Sequence, residues 1–226
     1  MRFLRTVWLV TRKDLLIEAR SKEILYTTAF FAVACVLVFA FGFVKEGRAL
    51  EDAAAGILWI AIAFSGTLAL GRAFERERQS ETLRALMIAP IHRPALYVGK
   101  LLGVLVLLGA VEVVLVPLVG VMFQAPLFAH PGLMLGLLVT GTIGFSAVGT
   151  LFAAMLVRAR SRDVLLPVLL YPITIPVIIA GVRGTAALLQ VEADIPMARA
   201  WLAMLLFFDE VFVTLALWTF EPVMTE

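Results

Sequence analysis

Six long apolar stretches constrain this chain more than any other feature of its sequence. Only three charged side chains interrupt them, namely Glu112, Asp209 and Glu210. Each stretch is long enough to cross the hydrocarbon of a bilayer, which takes roughly 20 apolar residues in a helix. Inside lipid the backbone must satisfy its own hydrogen bonds, so spanning helices are expected rather than strands. The stretches are 24–44, 53–71, 101–123, 132–157, 164–182 and 200–220.

Composition supports the same fold class. Hydrophobic residues make up 62% of the chain and charged residues 16%, whereas soluble domains average about half and about a quarter. The sequence therefore predicts an all-α polytopic membrane protein, with residues 1–226 forming a single transmembrane domain of six helices.

Lys and Arg are unevenly divided between the two sides of the predicted bundle. Fifteen of the 19 lie in segments 1–23, 72–100 and 158–163, which the alternation of spans places on one side. We call this the basic side. The positive-inside rule predicts that it is cytoplasmic, and that both termini are cytoplasmic as well.

Several kinds of site are disfavoured by residue usage. One cysteine, Cys35, rules out an intramolecular disulfide and a Cys-based zinc site. The net charge of +2 is too small to suggest nucleic-acid binding. The chain has no phosphate-binding loop, dinucleotide fingerprint or zinc-protease motif. It is therefore predicted to be non-catalytic, with no metal site and no directly bound nucleotide.

The segment before the first span, 1–23, has an amphipathic pattern. Phe3, Leu4, Val7 and Trp8 cluster on one side of a helical projection, and basic residues supply the rest. This pattern predicts an interfacial helix that lies in the headgroup region and turns into the first span.

The longest connection on the basic side, 72–100, contains a second amphipathic pattern. Leu83, Leu86 and Met87 fall on one helical face, Glu and Arg alternate before them, and Pro90 ends the helix. The helix either lies on the membrane surface or docks a cytosolic partner. Interleaved charges favour docking, because a helix built for anionic lipid is mostly basic. The predicted docking residues are Glu75, Glu77, Glu81, Leu83, Leu86, Met87 and Pro90.

The three carboxylates within the spans are candidate functional residues. A charge near the bilayer centre costs about 2.5–3.5 kcal/mol or more, so Glu112 is expected to face protein or water, or to be neutral. It serves either in gating or dimer contact, or in packing. Asp209 and Glu210 point about 100° apart on a helix. We expect one of them to pair with Arg199 or a polar neighbour, and the other to reach a cavity or interface.

Prolines mark the fifth predicted span. Pro167, Pro172 and Pro176 each remove a helix hydrogen bond, so the span is predicted to be kinked.

Motifs in the second connection resemble the first cytoplasmic loop of ABC-2-type permeases. The residues that carry this resemblance are Glu81, Leu83, Leu86, Met87, Pro90, Gly99 and Lys100. Further segments resemble the haem exporter protein B family of cytochrome c maturation, and together they extend over nearly the whole chain. They are 13–23, 56–61, 64–66, 72–75, 149–151, 165–168 and 220–226.

This resemblance implies a homodimeric permease in the bacterial inner membrane, docked on two copies of a cytosolic ABC ATPase. It also implies a haem-handling membrane subunit, a small membrane subunit and a periplasmic haem chaperone as partners. The resemblance further implies that the partner ATPase hydrolyses ATP and that hydrolysis is linked to release of the haem-loaded chaperone. Haem would then be a substrate of the complex, not a resident cofactor. The resemblance leaves open whether haem crosses the membrane through this chain.

Two alternatives stay open at this stage. One is an ABC-2 permease that exports a drug, lipid or polysaccharide, which the matches at 56–61 and 72–75 disfavour. The other is an ion-gradient carrier or an assembly scaffold. An ion-coupled carrier is expected to have broken helices and midplane ionisable residues in both halves, and the three carboxylates meet that pattern only in part.

The two histidines have different expected roles. His130 lies in a short outer loop and could ligate haem iron through its imidazole, but no second outer histidine accompanies it. An ordinary loop role is therefore favoured. His92 lies between two prolines on the basic side and is expected to belong to the docking surface.

Overall fold

The computed structural model describes residues 2–42, 51–74 and 92–225. Within these ranges the chain forms seven α-helices and one 3₁₀ turn (Leu156–Arg158), and no strand. The helices are α1 (Arg2–Ser21), α2 (Glu23–Gly42), α3 (Glu51–Ala73), α4 (Arg93–Met122), α5 (Pro131–Met155), α6 (Arg162–Leu189) and α7 (Ile195–Thr225).

Helices α2 to α7 confirm the six predicted spans. Each is long and apolar enough to cross a membrane, so the chain is a polytopic membrane protein. Several predicted bounds were too narrow, because apolar runs stop at the first polar residues while the helices continue past them; α5 differs, since it ends at Met155 and not at 157. Helix α4 begins at Arg93 instead of 101, and α7 extends from Ile195 to Thr225. The second connection is correspondingly shorter than predicted, since Pro94 lies in the first turn of α4, where its fixed φ suits a helix start.

Helix α6 runs from Arg162 to Leu189 as one element, and it contains Pro167, Pro172 and Pro176. In a membrane bundle, interior prolines are tolerated because neighbouring groups satisfy the backbone positions that they free. The kink predicted from these prolines stays a prediction.

Helix α5 lies at the centre of the bundle, where it contacts α3, α4, α6 and α7. It is the most buried of the six spans, whereas α7 and α2 are the least buried. Small residues along α5 let its neighbours approach closely, which is how membrane helices gain packing energy without a hydrophobic driving force. Those with neighbouring side chains directly against them are Gly141, Gly144 and Gly149.

Trp59 of α3 fills a slot between α5 and α6. Its ring lies directly over Gly141 and Gly181, where any Cβ atom would overlap the indole. The indole Nε1–H donates a hydrogen bond to Thr185 Oγ1 at 2.9 Å. The side chain is only 2% exposed, so Trp59 joins three spans at one point.

Helix α1 is amphipathic, as predicted, but its apolar residues divide between two surroundings. Val7 and Val10 face α4 and are buried, whereas Leu4 and Trp8 are exposed. The chain then turns at Lys22, which has a φ of 54°, and enters α2. The exposed Leu4 and Trp8 are compatible with a helix that lies on a membrane surface. The interfacial position of α1 stays a prediction.

Candidate functional site

The predicted docking segment lies outside the described residues. It includes Glu75, Glu77, Glu81, Leu83, Leu86, Met87 and Pro90. Its two flanks are described: Phe74 is buried at the end of α3, and His92 is exposed immediately before α4. The docking role of the segment, and of His92 beside it, therefore stays a prediction, while the flanks show how the segment is attached.

Lys100 connects the elements on both sides of that segment. Its Nζ atom lies 3.0 Å from Asp14 Oδ2 of α1 and donates a hydrogen bond to the carbonyl oxygen of Ala73 at 2.9 Å. The ammonium also lies 5.1 Å from the centre of the Phe74 ring, within cation–π range. Because the Lys100 side chain is only 3% exposed, these contacts are shielded from water.

Close packing of α1 on α4 surrounds this lysine. Thr11 Oγ1 donates to the carbonyl oxygen of Gly99 at 3.0 Å. A Cβ atom on Gly99 would lie 2.7 Å from Val10 Cβ, so only glycine permits this approach. We call Thr11, Asp14, Phe74, Gly99 and Lys100 the α1–α4 clamp. The clamp holds α1, the end of α3 and the start of α4 together at the two ends of segment 75–91.

An exposed ion pair adds α2 to the same region. Arg72 Nη1 of α3 lies 2.9 Å from Glu23 Oε1 at the start of α2. Both side chains are largely exposed, so the pair contributes little to stability. The ion pair does, however, join the start of α2 to the end of α3 beside the clamp, on the basic side.

Sequence reasoning included Lys100 only as part of a family-like pattern and missed its partner. Asp14 is 86 positions earlier and lies in a helix that was expected to rest in the headgroup region. One feature of the sequence could have pointed to Asp14 as a partner for a basic residue: it is the first acidic residue of α1, after four basic ones.

Glu112 faces protein, in agreement with one of the options that its position predicted. It is buried in α4, and Thr142 Oγ1 of α5 hydrogen-bonds to its Oε1. A carboxyl group removed from water needs such a partner, because a buried polar group without one destabilises the fold.

Asp209 and Glu210 point in different directions, as their adjacency requires. Asp209 is buried against α5, and a Cβ atom on Gly144 would lie 2.5 Å from Asp209 Oδ1. That oxygen has no hydrogen-bond partner among the described residues. Glu210 is exposed on the outer face of α7.

One of these carboxylates was expected to pair with Arg199 or a polar neighbour, and the structure does not place Arg199 beside either of them. No ion pair or hydrogen bond joins Arg199 to either group in the described part of the chain. The reason is geometric, because ten residues of helix separate Arg199 from Asp209 by about 15 Å. Asp209 instead depends on the space that Gly144 leaves.

Thr142→Val is expected to lower the free energy of unfolding by about 1–3 kcal/mol, because it leaves the buried Glu112 carboxyl without its partner. Thr140→Val is the matched control on the same helix, since the Thr140 hydroxyl donates only to helix carbonyls, those of Gly136 and Leu137. Thermal unfolding in detergent measures both changes. Equal losses in the two variants would contradict the proposed support of Glu112.

Among the described residues, no group of three or more His, Cys, Asp or Glu side chains could hold a metal ion. His130 is half-buried immediately before α5, and its side chain makes no capping hydrogen bond there. Cys35 is half-buried and packs against the core. The candidate functional features of the described residues are therefore the clamp and the two buried carboxylates, Glu112 and Asp209.

A family model covers nearly the whole of this fold. The model described as CcmB protein matches residues 5–224, from α1 to the last turn of α7. The chain belongs to the CcmB family. The match includes the clamp, the Trp59 slot and both buried carboxylates, and it confirms the family resemblance drawn from the sequence segments.

Curated relatives of this CcmB-family chain carry the name Heme exporter protein B. The relative from Rhodobacter capsulatus is 34% identical over 172 residues, which cover 75% of this chain and 78% of the relative. The relative from Paracoccus denitrificans is 33% identical over 181 residues, covering 78% and 82%. The relative from Pseudomonas aeruginosa is 29% identical over 182 residues, covering 80% and 81%.

Proposed function

We propose that this chain is the membrane permease subunit of an ABC complex that handles haem during cytochrome c maturation. In this proposal two copies dock on two copies of a cytosolic ATPase, with the basic side of the chain facing the cytoplasm of a bacterial cell. The partner hydrolyses ATP, and the permease itself performs no chemistry. Haem is a substrate of the complex, and hydrolysis drives release of a haem-loaded periplasmic chaperone.

The α1–α4 clamp is the observation that carries the proposal. A docking helix transmits force only when both of its ends are attached to rigid elements. Phe74 is buried at one end, and the buried Lys100 ties the other end to Ala73 and Asp14. Movement of segment 75–91 would therefore displace α3, α4 and α1 together.

The packing of α4 gives that displacement a route to the opposite side of the membrane. Glu112 of α4 is bonded to Thr142 of α5, and α5 packs against α6 and α7. A rigid helix pair that has two arrangements would let ATP binding favour one of them. A shift from 1:99 to 99:1 needs only about 5.5 kcal/mol of differential binding.

The continuity of two helices argues against an ion-gradient carrier. Such carriers commonly bind ions where a helix is broken near the midplane. Helix α4 is continuous through Glu112, and α7 is continuous through Asp209 and Glu210. The buried Glu112 is better explained as a polar contact between packed helices, because it is bonded to Thr142 of α5.

Leu83→Asp together with Leu86→Asp is expected to abolish co-purification of the ATPase in mild detergent. The two aspartates replace the apolar face of the predicted docking helix, and desolvating them at an interface is costly. Co-purification and ATP hydrolysis are measured on the same samples. Haem-loaded chaperone is expected to accumulate on membranes that carry the variant.

The matched control is Ala85→Asp with Ile88→Asp. It adds the same charges at the same spacing on the opposite face of the predicted helix. If this control loses the ATPase equally, general disruption explains the result and the docking face is wrong. If no ATPase accompanies the unaltered chain, the whole proposal fails.

A further inference from the structure

A cavity of about 200 Å³ lies on the basic side, between α1, α2, α3 and α4. Its inner wall is apolar and is formed by the ends of the spans, with Ile24, Ala69, Val104 and Leu107. Its rim carries charged side chains from α1 and α3. An apolar wall below a charged rim, at the ends of the predicted spans, matches the profile of a lipid near its headgroup.

The charges on the rim are of both signs. Asp14 is already balanced, because it lies 3.0 Å from Lys100 Nζ and 3.1 Å from Lys13 Nζ. Lys13 and Arg72 keep 42% and 46% of their side-chain areas exposed, and both line the cavity. Each of them also lies against a carboxylate, Lys13 at 3.1 Å from Asp14 and Arg72 at 2.9 Å from Glu23. An ammonium group carries three N–H donors and a guanidinium five, so each cation can contact a phosphate oxygen in addition to its carboxylate through charge-assisted hydrogen bonds.

A carboxylate completes the rim. Glu18 lines the cavity, and its Oε1 is held in place by the backbone N–H of Leu25 at 2.8 Å. A fixed carboxylate that lines the same cavity as two partly exposed cations suits a ligand that carries both a phosphate and an ammonium group.

We propose that this cavity binds the headgroup of phosphatidylethanolamine. Its volume is below the roughly 300–1,000 Å³ of pockets that enclose a drug-sized ligand, so a headgroup enters and the acyl chains stay in the bilayer. Lys13 and Arg72 hold the phosphate, and Glu18 accepts hydrogen bonds from the primary ammonium. Basic pockets between transmembrane helices are known lipid-headgroup sites, and here the added carboxylate selects a zwitterion.

The assignment separates three lipids by their chemistry. Phosphatidylglycerol offers the phosphate but has no cation for Glu18. Phosphatidylcholine has a cation, but its quaternary ammonium cannot donate a hydrogen bond and is bulkier. Inorganic phosphate lacks the glyceride that would lie along the apolar wall. Phosphatidylethanolamine satisfies every part of the site.

Native mass spectrometry of the delipidated full-length protein tests the site by titration with each of these lipids, and inorganic phosphate competes in a separate arm. We expect phosphatidylethanolamine to bind most tightly. Lys13→Gln with Arg72→Gln is expected to weaken it roughly tenfold, because two charge-assisted contacts are lost. Gly103→Leu, which fills the cavity without changing a charge, is expected to weaken it similarly.

The control variant is Arg5→Gln with Arg12→Gln, which removes two exposed cations from α1 outside the cavity lining. Its affinity for phosphatidylethanolamine is expected to match that of the unaltered protein. Equal binding of the three lipids, displacement of the lipid by inorganic phosphate, or an unchanged affinity in both cavity variants would overturn the proposal. These outcomes do not depend on the ATPase, so they leave the proposed function to its own test.

Discussion

Trp59→Ala is expected to lower the free energy of unfolding by about 3–5 kcal/mol, as large-to-small changes at buried aromatic residues do. The indole occupies a slot between Gly141 and Gly181 and is bonded to Thr185. Its removal leaves a cavity where α3, α5 and α6 meet, and the rigid helices around it can collapse only in part. The loss of stability is measured by unfolding in detergent, followed by far-ultraviolet circular dichroism, because this signal reports helix content and does not use tryptophan fluorescence.

Trp218→Ala is the matched control for this prediction. It deletes the same atoms from α7, but that ring is 79% exposed in the described structure, so its loss creates no internal cavity. Trp59→Phe keeps most of the ring and loses the hydrogen bond to Thr185, and a cost of about 1–2 kcal/mol is expected. If Trp59→Ala and Trp218→Ala unfold alike, the slot does not stabilise the bundle.

The effect of Gly181→Ala on stability tests the slot independently, because it is expected to change sign when Trp59 is replaced. Gly181→Ala in the unaltered protein places a Cβ atom against the indole and is expected to destabilise it. In the Trp59→Ala background the same methyl enters the vacated space and is expected to stabilise. Strong coupling is expected between groups in contact, so additive effects of the two changes would contradict the packing.

The spans were predictable because a membrane helix satisfies its backbone within one continuous segment. Hydropathy therefore located α2 to α7, and its largest errors came where helices continue into polar surroundings, as α4 does from Arg93. For Glu112 the sequence predicted only that a charged carboxylate would not face lipid, since a charge near the bilayer centre costs too much there; facing protein was one of three options.

Contacts between helices were not predictable from local pattern. Trp59 and Thr185 are 126 positions apart, and Glu112 and Thr142 are 30 apart. Periodicity shows which face of a helix is apolar, but in a chain whose spans are apolar all round it does not select a neighbour. The partners of Lys100 and the slot for Trp59 therefore required the three-dimensional structure.

Asp14→Asn is expected to lower the free energy of unfolding by about 3–5 kcal/mol, because it removes the negative charge that lies 3.0 Å from the buried ammonium of Lys100. Lys100→Met is expected to cost less. Methionine has a similar shape without a charge, and Asp14 keeps partial exposure and its contact with Lys13. Combining Asp14→Asn with Lys100→Met is expected to cost less than the sum of the two, since the pair is then removed together.

The clamp also predicts a separation of docking from transmission, on the proposed function. Lys100→Met leaves the segment 75–91 unchanged, so the ATPase is expected to co-purify and to hydrolyse ATP. Release of haem-loaded chaperone is expected to fall roughly tenfold, which corresponds to about 1.4 kcal/mol of lost coupling. Arg160→Met, which removes an exposed cation from the same side, is the charge-matched control.

The measured release and ATPase retention distinguish a role of Lys100 in transmission from a role in docking. If Lys100→Met releases the chaperone at the rate of Arg160→Met while hydrolysing ATP normally, the clamp does not transmit the movement of segment 75–91. If the ATPase itself is lost, Lys100 supports docking rather than transmission. A fall in release with ATPase retained is the expected result, because the bonds of Lys100 to Asp14 and Ala73 join α1 to the two helices that flank the predicted docking segment.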